Sequence, residues 1–128
     1  MRCLLDTHTF IWWMTTDPHL SRPARILIEQ ETTISLVSAA SAWEIATKVR
    51  LGRLPAAADL IQDFVNDLRR QRMEILPMSA EHAIRAGLLP GPHKDPFDRM
   101  LIAQAQAENV PIVSNDRALD GYGVRRLW

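Results

Sequence analysis

Short apolar segments alternate with longer amphipathic segments along the whole chain. The short segments are four or five residues long and rich in aliphatic and β-branched side chains, which is typical of buried strands. They predict five strands, at Arg2–Leu5, Thr33–Val37, Met73–Pro77, Pro111–Ser114 and Val124–Leu127. Because strands alternate with helices, the pattern predicts an α/β fold whose mostly parallel sheet is covered by helices on both faces.

Helical periodicity fills the intervals between the strands. Ser21 predicts the start of one helix that runs to about Gln30, and a second helix is predicted over Ser38–Leu51, with Gly52 as its stop. The inward face predicted for this second helix consists of Ala42, Ile45, Ala46 and Val49. Glu44 falls off that face, so it points either to solvent or into a cleft.

Three further helices are predicted in the second half of the chain. An apolar seam predicts one helix through Leu60, Ile61, Phe64, Val65 and Leu68. Ser79 opens the next helix, which is expected to bury Ala83, Ile84 and Leu88. Asp95 followed by Pro96 is a typical helix start, and it predicts the last long helix, whose inward side chains are Phe97, Leu101, Ile102 and Ala105.

Length and composition predict a single globular domain over residues 1–128. Hydrophobic residues make up 47% of the chain, which is enough for a sizeable core. The one cysteine, Cys3, lies in an apolar run and is expected to be an inert buried thiol. No signal peptide or membrane-spanning run is apparent, so the expected location is the cytoplasm, with no membrane partner.

The charge balance gives no sign of a nucleic-acid-binding protein. Fifteen basic residues offset fifteen acidic ones, so any nucleic acid must be bound through local basic patches, a metal or a partner. The candidate contacts to phosphate are Lys48, Arg50, Arg53, His93 and Lys94, although each is equally well explained as part of a solvated surface.

Four carboxylates stand out by their position. Asp6 follows the first strand, Glu44 lies two turns into the helix after the second, and Asp116 comes two residues after the fourth. Asp98 lies in the first turn of the helix that leads to the fourth strand. Ligands of parallel α/β sheets bind beyond the carboxyl ends of the strands, so the fold is expected to gather these acids.

Each carboxylate also has a purely structural explanation. Asp6 and Asp116 are possible caps of the segments that follow them, and Asp98 resembles the acid of a capping box behind Asp95. Glu44 precedes Lys48 by four residues, the favourable order for an ion pair on a helix surface. The four acids therefore indicate a site only as a set.

Converging carboxylates repel one another unless cations lie among them. Oxygen ligands without His or Cys suit Mg²⁺ or Mn²⁺, and two such ions together can activate a water and stabilise the leaving oxygen in phosphodiester cleavage. No other chemistry competes, because nucleotide-binding glycine motifs and the common hydrolase motifs are missing from the sequence.

Four segments resemble VapC-type PIN-domain toxins of VapBC toxin–antitoxin systems. They are "LLDTH" with "FIWW" at Leu4–Trp13, "SAWEIATKVRLGRL" at Ser41–Leu54, "HKDPFDRMLIAQA" at His93–Ala105 and "VSNDRALDGYGV" at Val113–Val124. The resemblance implies a PIN-like α/β/α sandwich with a five-stranded parallel sheet, and a Mg²⁺- or Mn²⁺-dependent endoribonuclease that hydrolyses RNA with metal-activated water. It also implies a VapB-type antitoxin partner and a homodimer.

The resemblance further implies that the four family acids are Asp6, Glu44, Asp98 and Asp116, as catalytic residues and as ligands of two metal ions when substrate is bound. Asp95 competes with Asp98 for the third position, and its place before Pro96 favours a role as helix cap. Residues expected beside the acids, or in contact with RNA, are Thr7, Ser38, Ser41, Lys48, Asp95 and Asn115. His8 is expected to pack or to support Asp6, and not to serve as a general base.

Two other functions remain open from the sequence. A protein-binding module with an acidic cleft keeps the fold but predicts no metal-dependent turnover. A phospho-acceptor domain needs paired acids after the first strand and an acid after the third, whereas Asp6 is unpaired and Met73–Pro77 ends without one.

Overall fold

The computed structural model describes all 128 residues, and a five-stranded sheet lies at its centre. The strands are β1 (Arg2–Leu5), β2 (Ile34–Ser38), β3 (Glu74–Leu76), β4 (Ile112–Val113) and β5 (Arg126–Leu127). Their order is β3-β2-β1-β4-β5, and every neighbouring pair is parallel. The α/β fold with a five-stranded sheet is therefore confirmed, and the sheet is wholly parallel where a mostly parallel one was predicted. The last three strands are shorter than predicted, because the flanking apolar residues lie in loops.

Seven α-helices connect the strands. They are α1 (Thr7–Met14), α2 (Arg22–Glu29), α3 (Ala39–Arg50), α4 (Asp59–Gln62), α5 (Phe64–Arg70), α6 (Ala80–Leu88) and α7 (Pro96–Glu108). The predicted caps of α2, α6 and α7 are present, since the side chains of Ser21, Ser79 and Asp95 accept hydrogen bonds from backbone N–H groups of the first turns. None of the helices combines the length and apolar character needed to cross a bilayer.

Alternate strand residues face two separate cores. Cys3 and Leu5 pack with residues of α1, α2 and α3 on one face of the sheet. Leu4 packs on the other face with Leu101 and Ile102 of α7. This period-two alternation buries both faces of the central strands and explains why consecutive positions such as Cys3, Leu4 and Leu5 are all apolar.

The predicted helix through Leu60 and Leu68 is divided into α4 and α5 at Asp63. The backbone of Asp63 is non-helical, with φ −139° and ψ 40°, and its carboxylate accepts hydrogen bonds from Asn66 and Arg70. Both bonds are to side chains of α5, and the Asp63 carboxylate accepts no bond from the backbone N–H groups of that helix. The break lets Leu60 and Leu68 reach the core from two helices, while Val65 is left 48% exposed.

The faces predicted for α6 and α3 are also partly wrong. On α6, Ala83, Ile84 and Leu88 are exposed, whereas His82 and Ala86 are buried against α7. On α3, Ala46 is exposed while Glu44 is buried. Both errors have one cause: a helical wheel assumes that the polar face is solvated, but here polar side chains of both helices face neighbouring elements.

We expect Ile102→Ala to lower the free energy of unfolding by about 2–5 kcal/mol, because Ile102 is fully buried and its removal leaves a cavity. Ile26→Ala on α2 is the matched control; Ile26 is 46% exposed, so a loss of about 1 kcal/mol or less is expected. Urea denaturation of the metal-free protein measures both values. Equal losses would contradict the position assigned to α7 against the sheet.

Candidate functional site

A polar cleft lies at the carboxyl edge of the sheet. It contains no hydrophobic side chain, and its walls are formed by Asp6, His8, Glu44, Lys48, Asp95, Asp98, Asn115, Asp116 and Arg117. The cleft brings together residues from β1, α1, α3, α7 and the loop after β4, segments far apart in the chain. All four acids singled out from the sequence lie in it, together with Lys48, Asp95 and Asn115.

Asp6 leaves the end of β1 and is only 8% exposed. The hydroxyl of Ser114, at the end of the neighbouring strand β4, donates a hydrogen bond of 2.6 Å to its Oδ2. Burial raises the pKa of Asp6 above its ordinary value, and the Ser114 hydrogen bond only partly opposes this. Asp6 precedes α1 but its side chain does not cap that helix, so the structural explanation considered for this acid is wrong.

Glu44 lies in the cleft and not on a solvated helix face. It is 3% exposed, and its Oε2 accepts a hydrogen bond from the Lys48 ammonium one turn later. Its other oxygen, Oε1, is buried without any hydrogen-bond partner in the protein. A buried carboxylate oxygen without a partner carries a large desolvation cost, so it marks the place where a cation or a water is required.

The sequence offered both Asp95 and Asp98 as the third acid of the site, with the other residue as a helix cap. In the structure Asp95 is the cap. Asp95 Oδ1 accepts hydrogen bonds from the backbone N–H groups of Phe97, at 2.8 Å, and Asp98, at 3.1 Å, which is the geometry of a helix cap. The carboxylate of Asp98 is thereby left available to the cleft. Its pKa is raised to about 7, chiefly by burial and then by the negative charges of Asp95, Asp6, Glu44 and Asp116.

Asp116 combines a structural and a site position. Its Oδ1 accepts a hydrogen bond of 3.0 Å from the backbone N–H of Ala118, as a cap of the short 3₁₀ helix Arg117–Tyr122. Its Oδ2 faces the cleft, where it lies 3.9 Å from His93 Nε2. A capping role and a site role are therefore not exclusive alternatives for this residue.

His93 is not one of the residues that line the cleft, but it lies beside two of its acids, a position that the sequence did not predict. It was considered only as a contact to RNA phosphate, but its Nε2 lies 3.3 Å from Asp98 Oδ2 and close to Asp116. Ser114, which orients Asp6, was also missed. A signal for both was available in the sequence, because each lies within five residues of a candidate acid, but only the fold shows which neighbours turn inward.

Other expected site residues lie beside the cleft and do not line it. The hydroxyls of Thr7 and Ser41 are buried and share a hydrogen bond of 2.8 Å that ties α1 to α3. Ser38 caps α3 through Ala40 N–H. Of the expected phosphate contacts, Lys48 lines the cleft, whereas Arg50, Arg53 and Lys94 are exposed beyond its walls.

These features define a class of protein: a parallel α/β domain with a carboxylate-lined cleft beyond the ends of its strands. The model of the family described as PIN domain matches residues 3–124. The chain therefore belongs to the PIN domain family. No sequence among the curated proteins matches it.

Several solved structures share the fold at low sequence identity. The structure of VapBC2 from Rickettsia felis bound to a DNA fragment from their promoter matches with a TM-score of 0.70 and 18% identity, over 99% of this chain and 98% of that one. VapBC-1 from nontypeable Haemophilus influenzae matches with a TM-score of 0.67 and 15% identity, over 99% and 97%. A toxin–antitoxin complex from Klebsiella pneumoniae matches with a TM-score of 0.60 and 17% identity, over 89% and 86%.

The raised pKa of Asp98 predicts a pH dependence of stability. An Asp in the unfolded chain has a pKa near 3.9, so the folded, metal-free protein binds this proton more tightly than the unfolded chain. Its free energy of unfolding should therefore fall as pH rises from about 4 to about 7, with no further change from this group above that range.

We expect Asp98→Asn to flatten that dependence and to be more stable than wild type in chelator at pH 8, because the amide carries no charge. Asp59→Asn, at an exposed carboxylate on α4, is the control and should leave the pH profile unchanged. Thermal unfolding in chelator from pH 4 to pH 8 measures the effect. An Asp98→Asn protein less stable than wild type at every pH would show that this carboxylate stabilises the helix start more than it repels its neighbours.

Proposed function

We propose that this PIN-domain chain is a Mg²⁺- or Mn²⁺-dependent endoribonuclease and the toxin of a toxin–antitoxin pair. The observation that carries the proposal is the convergence of Asp6, Glu44, Asp98 and Asp116 in one cleft without hydrophobic residues. Four carboxylates that line one cleft, with Lys48 and Arg117 as the lysine and arginine among its walls, support a site for divalent cations.

The donor set fits such ions. Glu44 offers a buried oxygen without a partner, and Asp6 and Asp98 have raised pKa values, as expected for carboxylates that lack their counter-ions. The four acids would hold two ions when substrate is bound. Divalent ions there supply Lewis-acid chemistry, which lowers the pKa of water and neutralises charge on the scissile phosphate and the leaving oxygen.

The chain's own residues position and balance this site. Ser114 fixes the orientation of Asp6, and Asp95 caps α7 so that the carboxylate of Asp98 stays free. Lys48 and Arg117 are the basic residues among the cleft walls, and they are the candidates to bind RNA phosphate beside the acids. The shortage of other basic residues around the cleft fits a nuclease that relies on bound ions for most of its attraction to RNA.

Partners are inferred from the solved relatives and from the surface. Two of those relatives are VapBC proteins, so a VapB-type antitoxin is proposed as the partner of this chain, in the cytoplasm. An Arg from that partner would suit the cleft, because its planar guanidinium pairs with carboxylates through two hydrogen bonds. A homodimer is proposed through the exposed apolar side chains of Trp43, Ile84 and Leu88, which are 57%, 64% and 78% exposed.

A non-catalytic protein-binding module is the second candidate. The same acidic cleft favours it, because a basic side chain of a partner can neutralise the carboxylates as an ion would. The two functions differ in one measurable property, which is metal-dependent cleavage of RNA by the purified chain.

Cleavage is expected to leave a 5′-phosphate and a 3′-hydroxyl, because water attacks the phosphorus and not the RNA's own 2′-hydroxyl. A 2′-deoxyribose on the 5′ side of the cut bond should therefore slow the reaction only modestly. Chelator should abolish it. End-group analysis of a short RNA and its 2′-deoxy variant tests these expectations.

The same experiment can also contradict the metal-dependent mechanism. His8 and His93 both lie at the cleft, and ribonucleases that use the 2′-hydroxyl employ histidine as general acid and base. A 2′,3′-cyclic phosphate product, or full activity in chelator, would therefore replace the metal-dependent mechanism with a histidine-dependent one. Absence of any cleavage with either ion would favour the binding module.

Glu44→Gln is expected to lower RNA turnover by about 100-fold or more, because an amide is a poorer ligand of a divalent ion than a carboxylate. The substitution conserves shape, so the far-UV circular dichroism should not change. Glu81→Gln on α6, at an exposed carboxylate, is the matched control and should keep full turnover. Equal activities of the two variants would remove Glu44 from the proposed site.

A further inference from the structure

We propose that His93 is a metal ligand, so that His93, Asp98 and Asp116 form a mixed nitrogen–oxygen subsite for a divalent first-row transition-metal ion. This inference rests on the proposed function, since it assigns a ligand within the same cleft. The sequence predicted a site with oxygen ligands only. A His93 ligand adds a nitrogen donor at one end of the cleft.

The ligand atoms have the spacing that one ion requires. His93 Nε2 lies 3.3 Å from Asp98 Oδ2 and 3.9 Å from Asp116 Oδ2, and all three residues offer atoms within 4.8 Å of one another. Ligands of a six-coordinate ion with bonds of about 2.1 Å lie about 3 Å apart when adjacent and about 4.2 Å apart when opposite. The three side chains therefore need only small rotations to bind a common ion.

Hydrogen bonds to both the N–H and the carbonyl of His93 fix its backbone, so the fold itself determines where its imidazole lies. Its N–H donates a hydrogen bond of 2.8 Å to the Tyr122 hydroxyl, and its carbonyl accepts one of 2.9 Å from Arg99. Arg99 also donates to the carbonyls of Ala86 and Leu89, so one guanidinium holds the whole loop between α6 and α7. Gly91 is required in that loop, because its φ is +113° and a Cβ there would lie 2.7 Å from the Tyr122 ring.

The cleft has two unlike ends. At one end, Lys48 pairs with Glu44, and Glu44 Oε1 stays buried without a partner, which is an independent observation that the cleft has room for a cation or a water beside a carboxylate. At the other end no lysine or arginine is paired with Asp98 or Asp116, and the imidazole of His93 lies between them. The first end offers carboxylate oxygens accompanied by the Lys48 ammonium, whereas the second combines two carboxylates with the imidazole nitrogen of His93.

Nitrogen in the ligand set changes which ions bind. Mg²⁺ strongly prefers oxygen ligands, whereas affinity for imidazole rises along the series Mn²⁺, Co²⁺, Ni²⁺. The His93 subsite should therefore favour transition-metal ions over Mg²⁺, and the contribution of His93 should grow along that series. Tyr122 is a positioning residue for this ligand, because its hydroxyl holds the His93 backbone and touches no ion.

Pulsed electron paramagnetic resonance of the untagged, full-length protein loaded with Mn²⁺ tests the ligand directly. Wild type should show modulation from an imidazole nitrogen bound to Mn²⁺. His93→Ala should lose that modulation while still binding Mn²⁺ through the carboxylates. His8→Gln removes the histidine that lines the cleft beside Asp6 and should keep the modulation.

Calorimetric titrations with Mg²⁺, Mn²⁺ and Ni²⁺ give a second readout. His93→Ala should weaken Ni²⁺ binding by at least about tenfold, Mn²⁺ binding by less, and Mg²⁺ binding by less than about threefold. Tyr122→Phe, which deletes only the hydroxyl, should shift the ratio of Ni²⁺ to Mg²⁺ affinity in the same direction by a smaller factor. His8→Gln should leave that ratio unchanged.

The outcomes separate this inference from the proposed function. Mn²⁺ binding without a nitrogen signal in wild type, or a signal that persists in His93→Ala, would overturn His93 as a ligand and leave an oxygen-only nuclease site. Loss of affinity for all three ions by the same factor in His93→Ala would assign His93 a structural role. Failure of the wild-type protein to bind any of the ions would overturn the metal-dependent nuclease itself.

Discussion

Repulsion among carboxylates at the carboxyl edge of the sheet is the constraint on which the rest of this structure depends. Parallel strands end at one edge, so residues that follow β1 and β4 are brought together whatever their distance in the chain. Here those residues are acidic, and α3 and α7 add one carboxylate each. Burial raises the pKa values of both Asp6 and Asp98, and the charges of the neighbouring carboxylates raise that of Asp98 further.

Hydrogen bonds hold the acids in these positions without neutralising their charges. Ser114 orients Asp6, and Asp95 caps α7, so that Asp98 points into the cleft instead of capping its own helix. Thr7 and Ser41 join α1 to α3 beneath the site. Each contact fixes an element while leaving carboxylate oxygens available. Carboxylates held in place with free oxygens suit a cation site, whereas their mutual repulsion lowers the stability of the metal-free fold.

The compensating groups within the cleft are few and unequal. Lys48 accompanies Glu44 at one end, His93 lies between Asp98 and Asp116 at the other, and His8 and Arg117 are further basic groups in the walls. A lysine satisfies a carboxylate only as a point charge, whereas an imidazole also offers a lone pair when neutral. The two ends of the cleft in this PIN-domain fold therefore differ in the groups that they offer to a bound ion.

Local pattern determined most of the fold, because strand length and helix caps depend on neighbours in the chain. The five strands, the starts of α2, α6 and α7, and the acids at Asp6 and Asp116 were all readable in this way. Tertiary structure alone decided which faces are solvated: it buried Glu44, exposed Ile84, broke the predicted helix at Asp63 and turned His93 toward two carboxylates. These outcomes depend on contacts between segments that are distant in sequence. A helical wheel describes a single helix, so it has no information about what packs against the polar face of that helix.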